Sequence, residues 1–445
     1  MPFTIQRQKV QVADVRGRFQ RLHRQTAVAL QAIFFLVPWI PVNGHPMVQF
    51  DLVARRLYAF GAVFTPRDTF FLVLIGLIGA FGLFFFTSLY GRIWCGYACP
   101  QSFFLEEWIR PIERWIEGSR GKRMQLDRAP WSFDKAWRKL AKWTLFAVAA
   151  AVIASTFTTW FSGARAYWTG AAPAGAYSFA GAVALFLFAD FVWFREQACN
   201  YLCPYARFQG ALTDDHSLVV SYDFGLGEPR GKKGKVEGDC IDCKKCVTVC
   251  PQGIDIRQGF QLECITCGRC VDACHGVMDK FGQASLIRYT TQAAEEGRET
   301  RGVRPRTVAY SVILTLLIST FVIGLATRTP LQAHLQRLPG TLYQIDEDGW
   351  TRNTFLLQLA QNAGSVGDGV VTVELVGIDE AELIVPQIEL AHDQQTTVPV
   401  IVRLAPEALT ERTLPLTLVV RSGDQEIEVS GTFKSEGADA SEEAS

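Results

Sequence analysis

The stretch "CIDCKKCVTVCP", residues 240–251, decides how this chain is built, and "CITCGRCVDACH", residues 264–275, repeats it. Both runs have the spacing C-x2-C-x2-C-x3-C, in which three thiolates of one loop can bind three irons of a cubane. In a two-cluster ferredoxin, the fourth cysteine of each run ligates the cluster of the other half. The repeat therefore predicts two [4Fe–4S] clusters. The predicted ligands are Cys240, Cys243, Cys246 and Cys274 for cluster 1, and Cys264, Cys267, Cys270 and Cys250 for cluster 2.

Two other interpretations of these eight cysteines are weaker. A zinc site needs two CxxC pairs rather than two runs of four. A disulfide framework needs an oxidising compartment, whereas the basic residues of the chain place this segment in the cytosol. The second run ends in His275 where the first ends in proline. His275 either tunes or contacts a cluster or is an ordinary surface residue, and the spacing leaves this open.

The segments around the cysteine runs are apolar. Hydrophobic residues make up 49% of the 445 residues, and the mean hydropathy is +0.12. A hydrocarbon layer of about 30 Å is crossed by about 20 apolar residues in a helix. Predicted transmembrane helices lie at 26–44, which Pro38 and Pro41 interrupt, and at 70–90, 142–162, 177–194 and 307–326. We therefore expect a membrane α-helical bundle of about five helices with an inserted α+β ferredoxin.

Basic residues in the connections predict the orientation of the bundle. Six Lys or Arg residues lie in 1–25 and ten in 91–141, against three in 45–69 and one in 163–176. Basic connections stay in the cytoplasm. The N-terminus, the 91–141 connection and the ferredoxin are therefore predicted to be cytoplasmic, and five crossings place the C-terminal part outside. The protein is expected in a bacterial inner membrane as a multi-pass protein with a periplasmic C-terminal domain.

The C-terminal part has a different composition. Residues 327–445 contain 7 basic and 19 acidic residues and no cysteine, and five short runs rich in Val, Ile, Leu and Thr alternate with turn residues between 369 and 435. This pattern predicts an immunoglobulin-like β-sandwich. The predicted domains are a basic arm (1–25), a four-helix membrane region (26–228), the ferredoxin (229–306), a fifth helix (307–326), the sandwich (327–435) and a disordered acidic tail (436–445).

The remaining four cysteines form a duplicated C-x3-C-P motif, with Cys95 and Cys99 after the second predicted helix and Cys199 and Cys203 after the fourth. Helical positions i and i+4 share a face, so each pair is expected to present two sulfurs to one side before Pro100 or Pro204 stops the helix. Four soft ligands can bind Cu(I), zinc or a third iron–sulfur cluster. Simple packing of buried cysteines is the alternative.

Two segments beside these motifs carry further signals. Asp190 is an acid near the inner end of an apolar helix, and either proton or ligand handling or a structural role explains it. The segment "EEWIRPIERWIEG", residues 106–118, reads as a helix lying in the inner membrane interface.

The chain closely resembles the bacterial cytochrome c oxidase accessory protein family called CcoG, FixG or RdxA. The resemblance covers nearly the whole chain and is most specific in "WCGYACPQ", "CNYLCPYARFQ", the double ferredoxin run and "VMDKFGQASLIRY". It implies an inner-membrane protein that assembles the cbb-type oxidase and acts as a cupric reductase. Cys95, Cys99, Cys199 and Cys203 match the family's C-x3-C-P motifs, which are proposed to bind or reduce copper.

Together these observations predict an oxidoreductase that passes single electrons through its clusters and reduces Cu(II) to Cu(I). Expected partners are a cytosolic electron donor, a copper chaperone or exporter, oxidase assembly factors and membrane lipid, with no nucleic acid and a possible homodimer. Two rival functions are a quinone-linked membrane polyferredoxin and a non-catalytic copper-binding scaffold. The sequence leaves open the donor, any flavin, the copper acceptor and whether the C-x3-C-P cysteines hold copper or a third cluster.

Overall fold

The computed structural model describes most of the chain. The described residues are 10–42, 45–64, 68–231, 237–327, 331–340, 342–361, 370–378, 381–389, 395–409, 411–423 and 425–436. They divide into two compact units, one of 1–57 and 65–322 and one of 58–64 and 323–445. The predicted acidic tail falls outside the described residues from 437 onward, as do residues 1–9 of the predicted basic arm.

Helices dominate the first unit. They are α1 Arg18–Leu36, α2 Thr69–Tyr90, α3 Ile93–Tyr97, α4 Pro100–Phe104, α5 Arg110–Glu117, α6 Arg120–Arg128, α7 Phe133–Ser162, α8 Ala164–Trp168, α9 Ala174–Ala189, α10 Pro204–Leu212, α11 Phe224–Gly227, α12 Lys245–Thr248, α13 Arg269–Met278, α14 Gln292–Glu295 and α15 Pro305–Ala326. Wider π-type turns occupy Leu105–Ile109, Asp190–Phe194 and Ala198–Leu202.

Four helices within the described residues are long and apolar enough to cross a membrane: Thr69–Tyr90, Phe133–Ser162, Ala174–Phe194 and Pro305–Ala326. They coincide with four of the five predicted segments, and they confirm that the chain is built as a membrane α-helical protein. Their apolar side chains face outward, since no more than 39% of any such window is buried within the protein. Lipid is the solvent that accepts this surface.

The first predicted segment, 26–44, is placed differently by the structure. Helix α1 begins at Arg18, because Asp272 of α13 accepts hydrogen bonds from the backbone N–H groups of Phe19 and Gln20 at 3.2 and 2.8 Å. Those two groups belong to the first turn, which has no partners inside the helix. A long-range cap from the ferredoxin therefore extends the helix toward the N-terminus.

The same helix ends earlier than expected. A 3₁₀ turn at Val37–Trp39 contains Pro38, which cannot continue the α-helix, and a strand follows. The far end of α1 lies beside the far end of α7, where Trp160 Nε1 donates to the Phe34 carbonyl at 3.1 Å. The 19 residues of α1 span about 28 Å and run beside the apolar helices, although three arginines keep its hydropathy low.

The ferredoxin is a small α+β domain between α9 and α15. Strands Val219–Tyr222 and Ile287–Thr290 pair antiparallel with Val219 opposite Thr290, and they enclose the domain. Helices α12 and α13 begin inside the two cysteine runs, after the second cysteine of each, and pack on each other; α13 also packs against the strand Ile287–Thr290, around a core that includes Tyr222, Ile287 and Met278. The predicted α+β insert is thereby confirmed.

The second unit contains two antiparallel sheets. The strands within the described residues are β1 Pro41–Val42, β2 His45–Pro46, β3 Val48–Asp51, β4 Arg56–Ala59, β5 Ala62–Phe64, β6 Val219–Tyr222, β7 Ile287–Thr290, β8 Leu331–Arg337, β9 Gln344–Ile345, β10 Thr351–Gln361, β11 Val370–Val376, β12 Ala381–Ile384, β13 Ile388–Glu389, β14 Gln395–Leu404, β15 Thr413–Ser422 and β16 Gln425–Lys434. One sheet has the order β12-β14-β10-β8 with β9 on β10, and the other has the order β13-β11-β15-β16.

Alternation along the strands builds the core between these sheets. In β10 the side chains of Phe355, Leu357 and Leu359 are fully buried, and they meet Leu418 and Val420 of β15. Such alternation is what a sandwich with one buried face per sheet requires. The predicted immunoglobulin-like sandwich is confirmed.

Candidate metal centres

The eight ferredoxin cysteines surround two cavities. The first, with about 380 Å³ of empty space, is lined by Cys240, Cys243, Cys246 and Cys274. The second, with about 350 Å³, is lined by Cys250, Cys264, Cys267 and Cys270, and Cys246 also borders it. The structure thus brings together each set of four that the spacing groups, with the fourth cysteine of each run contributed to the other cavity. The assignment of these thiols as cluster ligands stays a prediction.

Left-handed backbone conformations wrap each run around its cavity. Asp242 and Thr266, at corresponding positions of the repeat, have φ of 52° and 55°. Lys244 and Gly268 correspond in the same way, with φ of 54° and 74°, and each directly precedes a helix. Non-glycine residues adopt this region at a cost. The two halves therefore share one loop geometry, in which successive residues turn their side chains around a common centre.

The chemistry of the thiols fits an iron–sulfur cluster. Burial raises the pKa of Cys246 and Cys267 to about 12, and it raises that of Cys264 to about 11. Neighbouring thiols add to the effect, so four thiolates coexist in such a cavity only with compensating positive charge. Iron supplies that charge and deprotonates its thiol ligands. Among the described residues, no three His, Cys, Asp or Glu side chains are grouped to hold a single metal ion.

The C-x3-C-P motifs are built differently from the prediction. Cys95 lies in α3, but Cys99 has an extended backbone with φ −68° and ψ 127°, and Pro100 begins α4 rather than ending a helix. Cys203 likewise is extended, and Pro204 begins α10. The residue before a proline avoids the helical conformation, and proline suits the first helical position. The expectation that each pair shares one helical face is therefore wrong.

The four thiols nevertheless lie close together. Burial raises the pKa of Cys95 to about 11, with the neighbouring Cys99 and Cys203 adding to the shift. Burial also raises the pKa of Cys199 to about 12, and the other three thiols add to that shift. Groups influence each other in this way only at short range. The two motifs thus bring four sulfurs, here called the thiol cluster, within electrostatic range of one another, although among the described residues no three of them are grouped to hold one metal ion.

Two polar residues that the sequence did not single out lie beside this thiol cluster. The fully buried Gln209 accepts hydrogen bonds at its Oε1 from Cys95 Sγ at 3.2 Å and from Arg92 Nε at 2.8 Å. Arg92 lowers the pKa of Cys95 and so opposes the effect of burial. Its position three residues before Cys95, on the same helical turn, is the signal that would have identified it.

The thiol cluster lies against the second cavity. Gly96 is so close to the following loop that a Cβ atom would lie 2.4 Å from the Ile265 carbonyl oxygen and 3.1 Å from the Cys267 nitrogen. Cys95 packs directly on Ile265 and Cys267, and the Tyr97 hydroxyl donates to the Cys267 carbonyl at 3.1 Å. The first motif therefore touches the loop that carries a predicted ligand of cluster 2.

The structure also places the two residues whose roles were open. Asp190 is buried at the end of α9 and accepts a hydrogen bond from Gln101 Nε2 at 2.6 Å, and the same nitrogen donates to the Arg195 carbonyl at 3.1 Å. Gln101 directly follows Pro100, so Asp190 ties the first C-x3-C-P motif to the helix that leads to the second. His275 is exposed on α13.

Three family models match the chain. A 4Fe-4S dicluster domain matches residues 194–292, and a 4Fe-4S binding domain matches 72–123. The model of the immunoglobulin-like fold at the C-terminal of FixG matches 321–436. The dicluster match includes both ferredoxin runs and the second C-x3-C-P motif, and the 72–123 match includes the first. The chain therefore contains two 4Fe-4S binding domains.

Relatives match over most of their length. The nitrogen fixation protein FixG of Rhizobium meliloti is 34% identical over 407 residues, which cover 80% of this chain and 78% of FixG. Protein RdxB of Cereibacter sphaeroides is 36% identical over 384 residues, which cover 81% of this chain and 80% of RdxB. A crystal structure of a FixG-related protein from Vibrio parahaemolyticus aligns with 24% of this chain, and the alignment includes 99% of the Vibrio chain. The sequence identity is 16% and the TM-score is 0.22. The chain belongs to the FixG family, as its motifs indicate, and is a FixG-like iron–sulfur electron-transfer protein.

Proposed function

We propose that this protein reduces Cu(II) to Cu(I) at the four C-x3-C-P thiols and supplies the Cu(I) for assembly of a cbb-type oxidase. The observation that carries the proposal is the direct packing of Cys95 on Ile265 and Cys267, which puts the thiol cluster against the second cavity. A cluster bound by Cys267 would therefore have an acceptor site for its electrons in contact with the loop that carries its ligand.

The chemistry consumes one electron for each copper ion. A [4Fe–4S] cluster, when bound, supplies single electrons. The chain's own residues provide the rest: soft thiolates favour Cu(I) over Cu(II), and they draw bound copper toward the reduced state. Arg92, buried beside Cys95, offsets part of the negative charge that several thiolates accumulate. Each Cu(II) that gains one electron leaves as Cu(I), and an external one-electron reductant of the cytosol restores the protein.

Electron entry is assigned to the first cavity. Cys243 is the exposed cysteine of its set, whereas Cys267 is buried. Lys244 and Lys245 follow Cys243 directly and are exposed as well. A soluble donor can approach the first cavity, whereas the Ile265–Cys267 loop beside the second cavity packs on Gly96 of α3. Electrons would therefore pass from the donor to the first cavity, then to the second cavity and then to the thiol cluster. Cys246 borders both cavities.

The proposal includes the location of the reaction. We assign the ferredoxin to the cytoplasmic side of a bacterial inner membrane and the sandwich to the periplasmic side. The excess of basic residues in 1–25 and 91–141 supports this orientation. A copper chaperone or exporter would accept the product, and oxidase assembly factors would bind the sandwich.

A third iron–sulfur cluster at the four thiols is the second candidate. The 4Fe-4S binding model over residues 72–123 includes Cys95 and Cys99, and this observation favours it. In that case the thiol cluster would extend the electron pathway toward another acceptor such as a quinone. The two candidates differ in iron content and in the identity of the reducible substrate.

The test is anaerobic Cu(II) reduction by the purified, cluster-replete full chain with dithionite as reductant. A variant with Cys95, Cys99, Cys199 and Cys203 all changed to Ser is measured beside it, with iron and copper counted in both. A single Ser119→Ala variant, at an exposed position before α6 whose side chain makes no capping hydrogen bond, is the control. The proposal expects copper turnover in the wild type and the control, and its loss in the quadruple variant with about eight irons retained.

Other outcomes would overturn the proposal. A fall from about twelve irons to about eight in the quadruple variant would show a third cluster at these thiols. Quinone reduction that continues in the presence of a copper chelator, without copper turnover, would indicate a quinone-linked protein. Bound copper that is never reduced would indicate a scaffold.

A further inference from the structure

A cleft lined by arginines lies away from the thiol cluster, where the N-terminal segment, the start of α1 and residues 106–114 meet. It has about 1600 Å³ of empty space, including the solvent at its open mouth. Exposed arginines border the mouth, at Arg16, Arg21, Arg24 and Arg114, and less accessible ones lie deeper, at Arg110, Arg123 and Arg269. The acidic residues that line the cleft are Asp14, Glu106 and Glu107.

The carboxylates do not neutralise the cleft. Glu106 contacts both Arg110 and Arg269, and Asp14 contacts Arg114 at 2.7 Å. Glu107 reaches Arg24 only at 4.0 Å. Two carboxylates outside the lining also take part, since Glu113 pairs with Arg123 at 3.2 Å and Glu196 lies 3.8 Å from Arg110. Seven guanidinium groups therefore meet five carboxylates, and in the described part of the chain no ion pair joins Arg16 or Arg21 to an acid. An anion is the ligand that this surplus charge favours.

The deepest arginines give a second indication. Arg123 and Arg269 are 6% and 7% exposed, yet among the described residues Nε of each has no hydrogen-bond partner. A buried donor without a partner is costly. Both side chains are otherwise held in place, since Arg123 pairs with Glu113 and donates to the Val12 carbonyl at 2.7 Å, and Arg269 pairs with Glu106. Phosphate oxygens are strong acceptors for arginine N–H groups. The two unpartnered Nε–H groups at the base of the cleft therefore suit a phosphate oxygen.

The surroundings indicate where that phosphate comes from. Trp115, next to Arg114, is 80% exposed, and Trp131 and Trp137, at the start of the apolar helix α7, are 75% and 60% exposed. Exposed tryptophans at the ends of membrane helices lie at the level of the lipid headgroups. Arg21 and Arg24 occupy the first turns of α1, which runs beside α7. The cleft therefore opens at headgroup level on the ferredoxin side.

We propose that the arginine cleft binds the phosphate group of an anionic phospholipid from the leaflet on the ferredoxin side. Basic pockets at this level of a membrane protein suit anionic headgroups, because each nearby Lys or Arg adds to the attraction. The site is separate from the copper chemistry. Its failure would leave the proposed reductase function untouched, and the reverse also holds.

The test measures retention of phosphatidylglycerol by the purified full chain in detergent, by native mass spectrometry over a lipid titration. The variant changes Arg16, Arg21 and Arg24 to Gln, all exposed at the mouth, so that folding is preserved. The matched control changes three exposed cations outside the cleft to Gln: Arg18, Lys122 and Arg128. Glycerol 3-phosphate is titrated in parallel as the soluble source of the same phosphate chemistry.

The proposal expects phosphatidylglycerol binding to weaken about a hundredfold in the cleft variant and to stay near the wild-type value in the control. Copper reduction should be unchanged in both. Equal weakening in the two variants would reduce the effect to general surface charge and overturn the site. Binding of glycerol 3-phosphate with the same arginine dependence, without retention of phosphatidylglycerol, would overturn the lipid assignment in favour of a soluble phosphate ester.

Discussion

Replacing Gly96 by Ala tests the contact between the thiol cluster and the second cavity. A Cβ atom at Gly96 would lie 2.4 Å from the Ile265 carbonyl oxygen, and Cβ contacts below 3.0 Å essentially do not occur. The loop and α3 must therefore separate by at least 0.6 Å. The obstacle is backbone on both sides, because the Cys267 nitrogen and Cα also lie 3.1 Å from the added atom.

The expected cost follows from two opposing effects. Overpacking of this kind costs about 1–3 kcal/mol, and replacing glycine by alanine within a helix recovers up to about 1 kcal/mol. We expect a net loss of about 1–2 kcal/mol, which lowers the melting temperature by a few degrees. The displaced Cys267 loop should also slow reduction of Cu(II), while the iron content stays at the wild-type level.

Gly121→Ala is the matched control, since Gly121 lies in α6 with nothing within 4 Å of an added Cβ. It should leave copper turnover unchanged and raise stability by up to about 1 kcal/mol. Melting temperature, iron content and single-turnover copper reduction are measured for both variants. A Gly96→Ala protein that melts and turns over like the wild type would refute the close approach of α3 to the cluster 2 loop.

Three further changes give distinct results. Glu113→Gln removes a buried carboxylate that pairs with Arg195 at 2.7 Å, and should lower the free energy of unfolding by about 3–5 kcal/mol, measured in thermal melts. The control Asp134→Asn breaks an exposed ion pair with Arg138 and should cost less than about 1 kcal/mol. Burial alone would raise the pKa of Glu113, but the cations around it lower that pKa from 4.5 to about 2. The loss of stability in Glu113→Gln should therefore have its full size above pH 4.5 and shrink as the pH falls toward 2. Asp272→Asn weakens the long-range cap of α1 by about 1 kcal/mol and should speed amide hydrogen exchange at Phe19. Removing iron with a chelator should unfold the ferredoxin, seen as lost helical circular dichroism, because cluster binding contributes to folding.

The membrane helices were predictable because hydropathy reports burial in lipid directly. The predicted segment 142–162 nevertheless begins at Phe133 in the structure, where the Ser132 side chain accepts a hydrogen bond from the Lys135 N–H. The polar start of this helix is stabilised by ion pairs such as Lys139 with Glu117 at 2.7 Å. A hydropathy window excludes these residues from the predicted helix, because it scores each charged residue as if its ion-pair partner were absent.

The segment 106–118 was expected to be a helix lying in the inner membrane interface. In the structure Glu113 and Glu117 are each 2% exposed, and Arg195, from the far end of α9, neutralises Glu113. Such a pairing joins residues 82 positions apart, so a local pattern does not reveal it. Likewise Gln209 reaches Cys95 across 114 positions. The thiol cluster was predictable from its duplicated motif, but its hydrogen-bond partners depended on the tertiary fold.

Two strands of the sandwich were missed although their signal was present. In β8 the side chains of Leu331 and Leu335 face the core, and in β10 those of Phe355, Leu357 and Leu359 do. Both strands alternate with period two, but polar residues such as Gln and His lie between the apolar ones. A composition-based search for Val- and Ile-rich runs therefore passes over them.

The most direct test of the copper proposal is a single-turnover experiment on the fully reduced, cluster-replete protein under anaerobic conditions. Cu(II) is added by stopped flow with a Cu(I)-specific chromophoric chelator present, and oxidation of the clusters is followed by their visible absorbance. The proposal predicts one Cu(I) formed for each electron that leaves the clusters, and loss of this coupling when Cys95, Cys99, Cys199 and Cys203 are all Ser. Cluster oxidation by Cu(II) at the same rate in that variant would contradict it, because copper would then be reduced elsewhere.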